Sequence, residues 1–250
     1  MTPPERTPDP HQAAAKVVRM LRTAGDPATR EGMRRYFKSD EDVTFFGVPA
    51  PAIRRMVRDL FAEARTRWTY ANGLAFCDAM VSRPELDAKL CGILLLARYE
   101  RHFPAGLLAV ARRWLATDRL ATWAAVDALA HRIVSPLIER YPNAGPQVRR
   151  WASARNVWVR RAAAVSYVPL ARRGDRLDDA YAVADAMLDE THDLLHKATG
   201  WLLREAGKTD MRRLERYLRD RGAQVPRTAL RYAIERFPDP ARRALLESTR

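Results

Sequence analysis

The chain is 250 residues long and carries 44 Lys and Arg against 30 Asp and Glu, a formal charge of +14 and a pI near 10.5. That length suffices for one large domain or a repeat array with a sizeable core, and the positive excess favours a polyanionic partner, nucleic acid before anionic membrane. Two cysteines, Cys77 and Cys91, make no disulfide scaffold, no Cys/His cluster has metal-ligand spacing, and the longest apolar run, 90–97, is far short of the ~20 residues of a membrane span.

Residues 1–10 are proline-rich and lack an apolar stretch, so a loose tail is expected ahead of a single domain over 11–250. No segment alternates with period two. Apolar residues recur at helical spacing instead, interrupted by Pro, Gly, Asn and Asp. The spacing predicts helices at 11–23, 28–37, 50–65, 70–82, 84–101, 105–116, 121–139, 145–154, 157–171, 177–189, 193–207, 209–221, 226–236 and 238–247. Short connectors suit antiparallel neighbours. Near the start, Tyr36-Phe37-Lys38, then Phe45-Phe46-Gly47-Val48-Pro49, then the helix with Arg54 and Arg55 read as helix–loop–helix. Gly47 permits a tight turn and Pro49 suits a helix start. The aromatics over 36–46 are expected to fill the core at the end of the array.

A pattern repeats further on. Lys89 opens Lys-Leu-Cys-Gly-Ile-Leu-Leu-Leu-Ala, Arg161 opens Arg-Ala-Ala-Ala-Val-Ser-Tyr-Val, and Lys197 opens Lys-Ala-Thr-Gly-Trp-Leu-Leu-Arg. The step from 161 to 197 is 36 residues, and that from 89 to 161 is 72, twice as long. The intermediate position, 125, falls inside Trp123–Asp127. A helix pair recurring at this period is the mark of a HEAT-like α-solenoid, in which equivalent helices line the concave side. The expected fold is therefore all-α, stacked antiparallel helix pairs around a basic concave groove. The competing reading is coincidence in a chain rich in Ala, Leu and Arg.

Candidate chemistry centres on Asp127, the only carboxylate in the apolar run 121–134. Trp123 stands one turn before it, on the same helix face. Solvated helical aspartates are common, so the repeat, which brings Arg161 to an equivalent helix, is what favours a working group. Trp201 follows Lys197 by one turn, and each indole thus shares a face with a charge, an arrangement suited to a cationic ring or sugar. Core packing is the plainer fate of a tryptophan; it is expected for Trp114, Trp151 and Trp158. Arg161 suits a phosphate contact, Arg204 less strongly. The five histidines form no triad or metal pair, and there is no P-loop, G-x-G-x-x-G or H-E-x-x-H. No metal and no cofactor are expected.

At these residues the chain resembles the AlkD family of DNA alkylation-repair glycosylases. The matching features are Trp123-x-x-x-Asp127, Asn156-Val157-Trp158-Val159-x-Arg161-Ala162-Ala163 and Lys197-Ala198-x-Gly200-Trp201-x-Leu203-Arg204-Glu205, with Tyr36-Phe37-Lys38 and Phe46-Gly47-Val48-x-x-Pro51 in support. The likeness runs from about Met33 to Phe237. It implies a HEAT-like solenoid cradling duplex DNA. It also implies that Asp127 is the catalytic carboxylate, that Trp123 and Trp201 flank the damaged nucleotide's backbone, and that Arg161 is the arginine of the site. Arg160, Lys197, Arg204, Lys89, Tyr36 and Arg54 are the further DNA contacts expected. Thr122 stands where the family pattern has a second tryptophan, a departure that bears on the site's outer wall. The implied activity is release of cationic N3- or N7-alkylated purines from duplex DNA without base flipping, by a monomer in the bacterial cytosol. A non-catalytic solenoid that binds distorted duplex is the alternative.

Overall fold

The computed structural model describes residues 9–38 and 42–248. The tail expected over 1–10 lies outside them up to residue 8. Fifteen α-helices are described in chain order: α1 Pro10–Ala24, α2 Pro27–Arg34, α3 Ala50–Ala64, α4 Tyr70–Val81, α5 Leu86–Leu96, α6 Leu107–Ala116, α7 Trp123–Leu129, α8 Ser135–Arg140, α9 Ala144–Arg150, α10 Val157–Arg172, α11 Leu177–Asp185, α12 Asp193–Gly207, α13 Met211–Arg221, α14 Arg227–Ala233 and α15 Asp239–Ser248. The described residues contain no strand, only an isolated bridge between Thr44 and Glu85. The all-α expectation is met.

The chain divides into two compact units. One comprises the described residues up to Leu107 together with Thr117–Ala128; the other comprises Leu108–Ala116 and the described residues from Leu129 on.

In the first unit α4 packs on α5, and α1 and α3 lean on this pair. Leu21, Phe76, Cys77, Met80, Cys91, Ile93, Leu95 and Leu96 are closed off from solvent there. α5 is buried around nearly its whole circumference, and its buried residues include Asp87 and Lys89. Charges so placed need partners. Asp87 accepts from the amides of Phe46 at 2.8 Å and Val48 at 2.9 Å. Gly47 sits between those amides with φ of 85°, a left-handed conformation that glycine adopts without penalty. The tight turn expected at Gly47 is present, and a buried carboxylate on another helix holds it.

In the second unit α10 packs on α12 and α12 on α14; α11 lies against both α10 and α12, and α13 against α12 and α15. Alternate helices α10, α12 and α14 thus form a stacked row with α11 and α13 set against it, an arrangement consistent with an α-solenoid. Local signals set the starts. The Asn156 side-chain oxygen accepts from Trp158 and Val159 amides at 2.8 and 3.3 Å, capping α10. His192 Nδ1 accepts from the Leu194 amide to start α12.

Several predicted helices end early. Those over 28–37, 177–189 and 226–236 stop at Arg34, Asp185 and Ala233, and that over 145–154 leaves the α form after Arg150. Two others change character along their length. The segment expected as helix over 84–101 is α-helical only to Leu96, then tightens into a 3-10 stretch through His102, with Tyr99 outside helical geometry at φ −99°, ψ 16°. The segment over 121–139 is not uniform either. After α7 the ladder widens into a π-helical stretch, Ala130–Val134, and the Ser135 amide bonds to Ala130 O. Pro136 accounts for it: it has no N–H for the Arg132 carbonyl and its ring crowds that position, so the helix takes in one extra residue.

Candidate functional site

In the first unit the site is built on α7. Thr122 is 6% exposed, and its hydroxyl accepts from the Ala125 amide at 3.3 Å. The residue that was expected to bear on an outer wall is thus a buried helix cap. Trp123, the first residue of α7, is half-buried. Its indole stacks on Phe37 with centroids 5.2 Å apart and planes inclined by 28°, and Phe37 in turn meets Phe45 at 5.9 Å. Of the aromatics over 36–46 expected in the core, Phe37 and Phe45 are buried but Tyr36 is exposed and Phe46 half-buried. That Phe37, with Phe45 behind it, backs one face of the indole was not foreseen. Asp127 follows one helical turn later and is half-buried. Tyr36, next to Phe37, is 77% exposed, and Arg54 on α3 is also exposed.

Lys89 departs from expectation. Its side chain turns inward, the residue is 9% exposed, and Nζ donates to Val81 O at 3.1 Å and Arg119 O at 2.5 Å. Burial draws its pKa down to about 8, with Glu85 pulling the other way and Arg119 adding to the fall. An ammonium enclosed between two carbonyls is not a phosphate contact, so Lys89 leaves the DNA-binding set.

In the second unit the residues gather on α10 and α12. Arg161 is 6% exposed, and its Nη1 donates to Leu194 O at 2.7 Å, tying α10 to the first turn of α12. Lys197, one turn along α12, pairs with Asp193 at 2.8 Å. The Asp193 hydrogen bond lifts the Lys197 pKa above its usual value, and nearby Arg161 offsets part of that rise. Trp201, one turn further, is half-buried and meets His131 edge-on, ring centroids 5.3 Å apart at 71°. His131 lies in the π-helical stretch. The histidines were set aside for want of a metal or triad pattern; the available signal was that His131 stands four residues after Asp127 in one helical run.

The other candidate cations are engaged with acids. Arg160 pairs with Glu190 at 2.6 Å and donates to the carbonyls of Ala154 and Arg155. Arg204 bonds Glu235. Such partners hold a side chain in one geometry but contribute little when exposed. Glu205, at the end of the matched motif, is 1% exposed and receives Arg172 at 2.7 Å and Lys208 at 2.6 Å. Burial alone would raise its carboxyl, but these hydrogen bonds prevail and hold it below the ordinary value. Trp114 and Trp151 are buried core, as expected, whereas Trp158 is half-buried at the start of α10.

Gly200 explains how α12 fits its neighbour. A Cβ there would lie 2.5 Å from the Ala229 carbonyl oxygen and 2.5 Å from Tyr232 Cβ, both on α14. Gly200→Ala is therefore expected to lower stability by roughly 1–3 kcal/mol through overpacking. Chemical denaturation read against wild type checks this; a variant as stable as the parent would mean that α14 moves away at no cost.

Among the described residues no three His, Cys, Asp or Glu gather as a metal site, and no helix is long and apolar enough to cross a membrane. A family model described as "DNA alkylation repair enzyme" matches residues 17–237. No curated protein matches in sequence. Among solved structures, a predicted DNA alkylation repair enzyme from Enterococcus faecalis superposes with a TM-score of 0.75 over 86% of this chain and 97% of its own, at 20% identity. That likeness is one of fold.

Proposed function

Because the chain belongs to the DNA alkylation repair enzyme family, we propose that it is a monofunctional glycosylase that hydrolyses the N-glycosidic bond of cationic N3- and N7-alkylated purines in duplex DNA. The observation that carries the reading is the pairing on α7 of a half-buried carboxylate, Asp127, with a tryptophan one turn away whose indole is backed by Phe37.

Glycosidic hydrolysis ordinarily needs an acid for the leaving group and a carboxylate for the oxocarbenium-like sugar. Alkylation at N3 or N7 has already made the base cationic, so it departs with the bonding electron pair and needs no proton. One carboxylate then suffices. Asp127 stabilises the developing positive charge on the sugar and orients the water that attacks it. Trp123 and Trp201 add π-face attraction to the cationic nucleotide, about 0.5–2 kcal/mol each. Arg161, buried and bonded to Leu194 O, holds the first turn of α12, and Lys197 on that helix supplies positive charge for the adjacent phosphate. Contact through the backbone, with the base left stacked, follows from the resemblance; so does tolerance of bulky N3-adenine adducts.

The test is incubation with duplexes containing 7-methylguanine, 3-methyladenine or a bulky N3-adenine adduct, scoring free base. Release from at least one is expected. Salt-sensitive duplex binding with no release from any of them would favour a non-catalytic binder of distorted DNA.

A further inference from the structure

α5 carries two buried charges, and only one serves the loop before α3. Asp87 is accounted for by the amides of Phe46 and Val48. Lys89 points elsewhere. Val81, one of its acceptors, is the last residue of α4, where helix carbonyls lack intrahelical donors and a cation meets the negative end of the dipole. Arg119, the other, lies in the connector four residues ahead of Trp123.

We propose that Lys89 is a positioning residue of the Asp127 site: its buried ammonium, held between the carbonyls of Val81 and Arg119, fixes the connector from which α7, with Trp123 and Asp127, begins. The inference rests on the reading of Asp127 as the catalytic carboxylate. All of these residues belong to the first unit.

Several features of the connector agree. Asp118 has a positive φ of 56°, a conformation non-glycine residues hold only where their surroundings impose it. Arg119 is gripped twice, by its carbonyl on Lys89 and by its guanidinium on Asp78 of α4 at 3.0 Å. Leu120 is fully buried, and Thr122 is buried as the α7 cap. The clamp is therefore passed to α7 through three anchored residues. A methionine would fill similar volume but leave the carbonyls of Val81 and Arg119 without this donor, a cost to stability that is separated from the positioning role by measuring rate and pH profile on the folded protein.

The charge itself offers a test. The groups acting on Lys89 are Glu85 at the head of its own helix, which pairs with Arg83, and Arg119, which pairs with Asp78. With its folded pKa drawn from 10.5 to about 8, Lys89 sheds its proton in the folded chain before it does so in the unfolded one. Between those values the unfolded state binds more protons, so this group adds stability as pH rises. The clamp on Arg119 O meanwhile loses its charge assistance. A rate that falls over that window is not explained by Lys89-linked unfolding.

The experiment compares wild type, Lys89→Met and Lys89→Gln. Base release from duplex carrying 7-methylguanine is measured at saturating protein from neutrality to about pH 9, with spontaneous release subtracted, and duplex affinity and thermal unfolding are measured alongside. Lys89→Met is expected to lose on the order of 10- to 100-fold in rate, the cost of misplacing a reacting group, with duplex affinity unchanged. Lys89→Gln, which keeps N–H donors without charge, is expected to turn over faster than Lys89→Met and about as fast as the wild type does once Lys89 has lost its proton. The wild type should slow as pH rises through about 8, and both variants should lack that limb. A Lys89→Met protein that turns over like wild type with the same pH profile overturns the proposal, whatever its melting point. If Lys89→Met does not fold, Lys89→Gln decides: loss of the limb supports the role and its retention overturns it. Absence of base release from the wild type itself would sink the Asp127 reading, and this role with it.

Discussion

Asp127→Asn is expected to abolish release of alkylated bases while leaving duplex binding close to that of the wild type. The substitution keeps shape and volume on a half-buried helical position, so the fold has little reason to change. It removes the negative charge that answers the cationic sugar. Loss of one preorganised electrostatic group at a reacting centre costs about 10²–10³ in rate. Here the loss should be at least as large, because the reading assigns no second carboxylate to share the work. Free base is quantified by chromatography under single-turnover conditions, and duplex affinity by fluorescence anisotropy. Unchanged release by the variant would remove Asp127 from the chemistry. Lost binding together with lost release would make it a structural or DNA-anchoring residue instead.

The second large effect is expected at Asp87. It is fully buried, and its two carboxylate oxygens accept the amides of Phe46 and Val48. Asp87→Ala leaves both donors without a partner in a dry interior, at about 1–3 kcal/mol for each. A loss of roughly 2–5 kcal/mol is therefore expected in urea denaturation. Asp87→Asn should recover little, since its amide group can accept only one of the two bonds and turns a donor toward the other. The damage should reach the site as well. The loop that Asp87 holds carries Phe45, which packs on Phe37, which backs Trp123. Slower base release in the surviving folded fraction would register that path. An Asp87→Ala protein with the wild-type urea midpoint would show that the loop closes without its acceptor.

Much of the helical frame was legible in the sequence. The period-3.6 spacing over 157–171 and 193–207 became α10 and α12 with ends displaced by a residue at most. Pro49 sits at the start of α3 and Gly47 at a left-handed turn, as expected, whereas Pro10, assigned to the tail, opens α1. These signals work because capping bonds, proline's ring and glycine's freedom act within a few residues. The π-helical stretch ahead of Pro136 was missed within the helix expected over 121–139. The same proline that ends an ordinary helix can be absorbed by a π-helical stretch when flanking residues are as well buried as Ile133, Val134 and Leu137.

The candidate site was legible only in outline. Trp123, Asp127, Arg161, Lys197 and Trp201 could be selected because their spacing follows a repeat. Nothing in that spacing told Lys89 apart from Lys197. One is enclosed between two carbonyls, and the other is on a partly open helix face beside Asp193. Thr122 read as a gap in a wall and is a cap. Phe37 and His131, which touch the two indoles, are remote from them along the chain.

By itself, then, the sequence determined the all-helical class, the caps and turns, and which residues could carry charge to a nucleic acid, because each depends on neighbours within a turn or two of helix. Only the tertiary structure decided which of those charges are spent inside the protein: Asp87 on a loop, Lys89 on a connector, Arg161 on the start of α12. The reason is that burial is set by which helix packs against which, and the desolvation of these charges answers to partners 30 to 41 residues away in sequence.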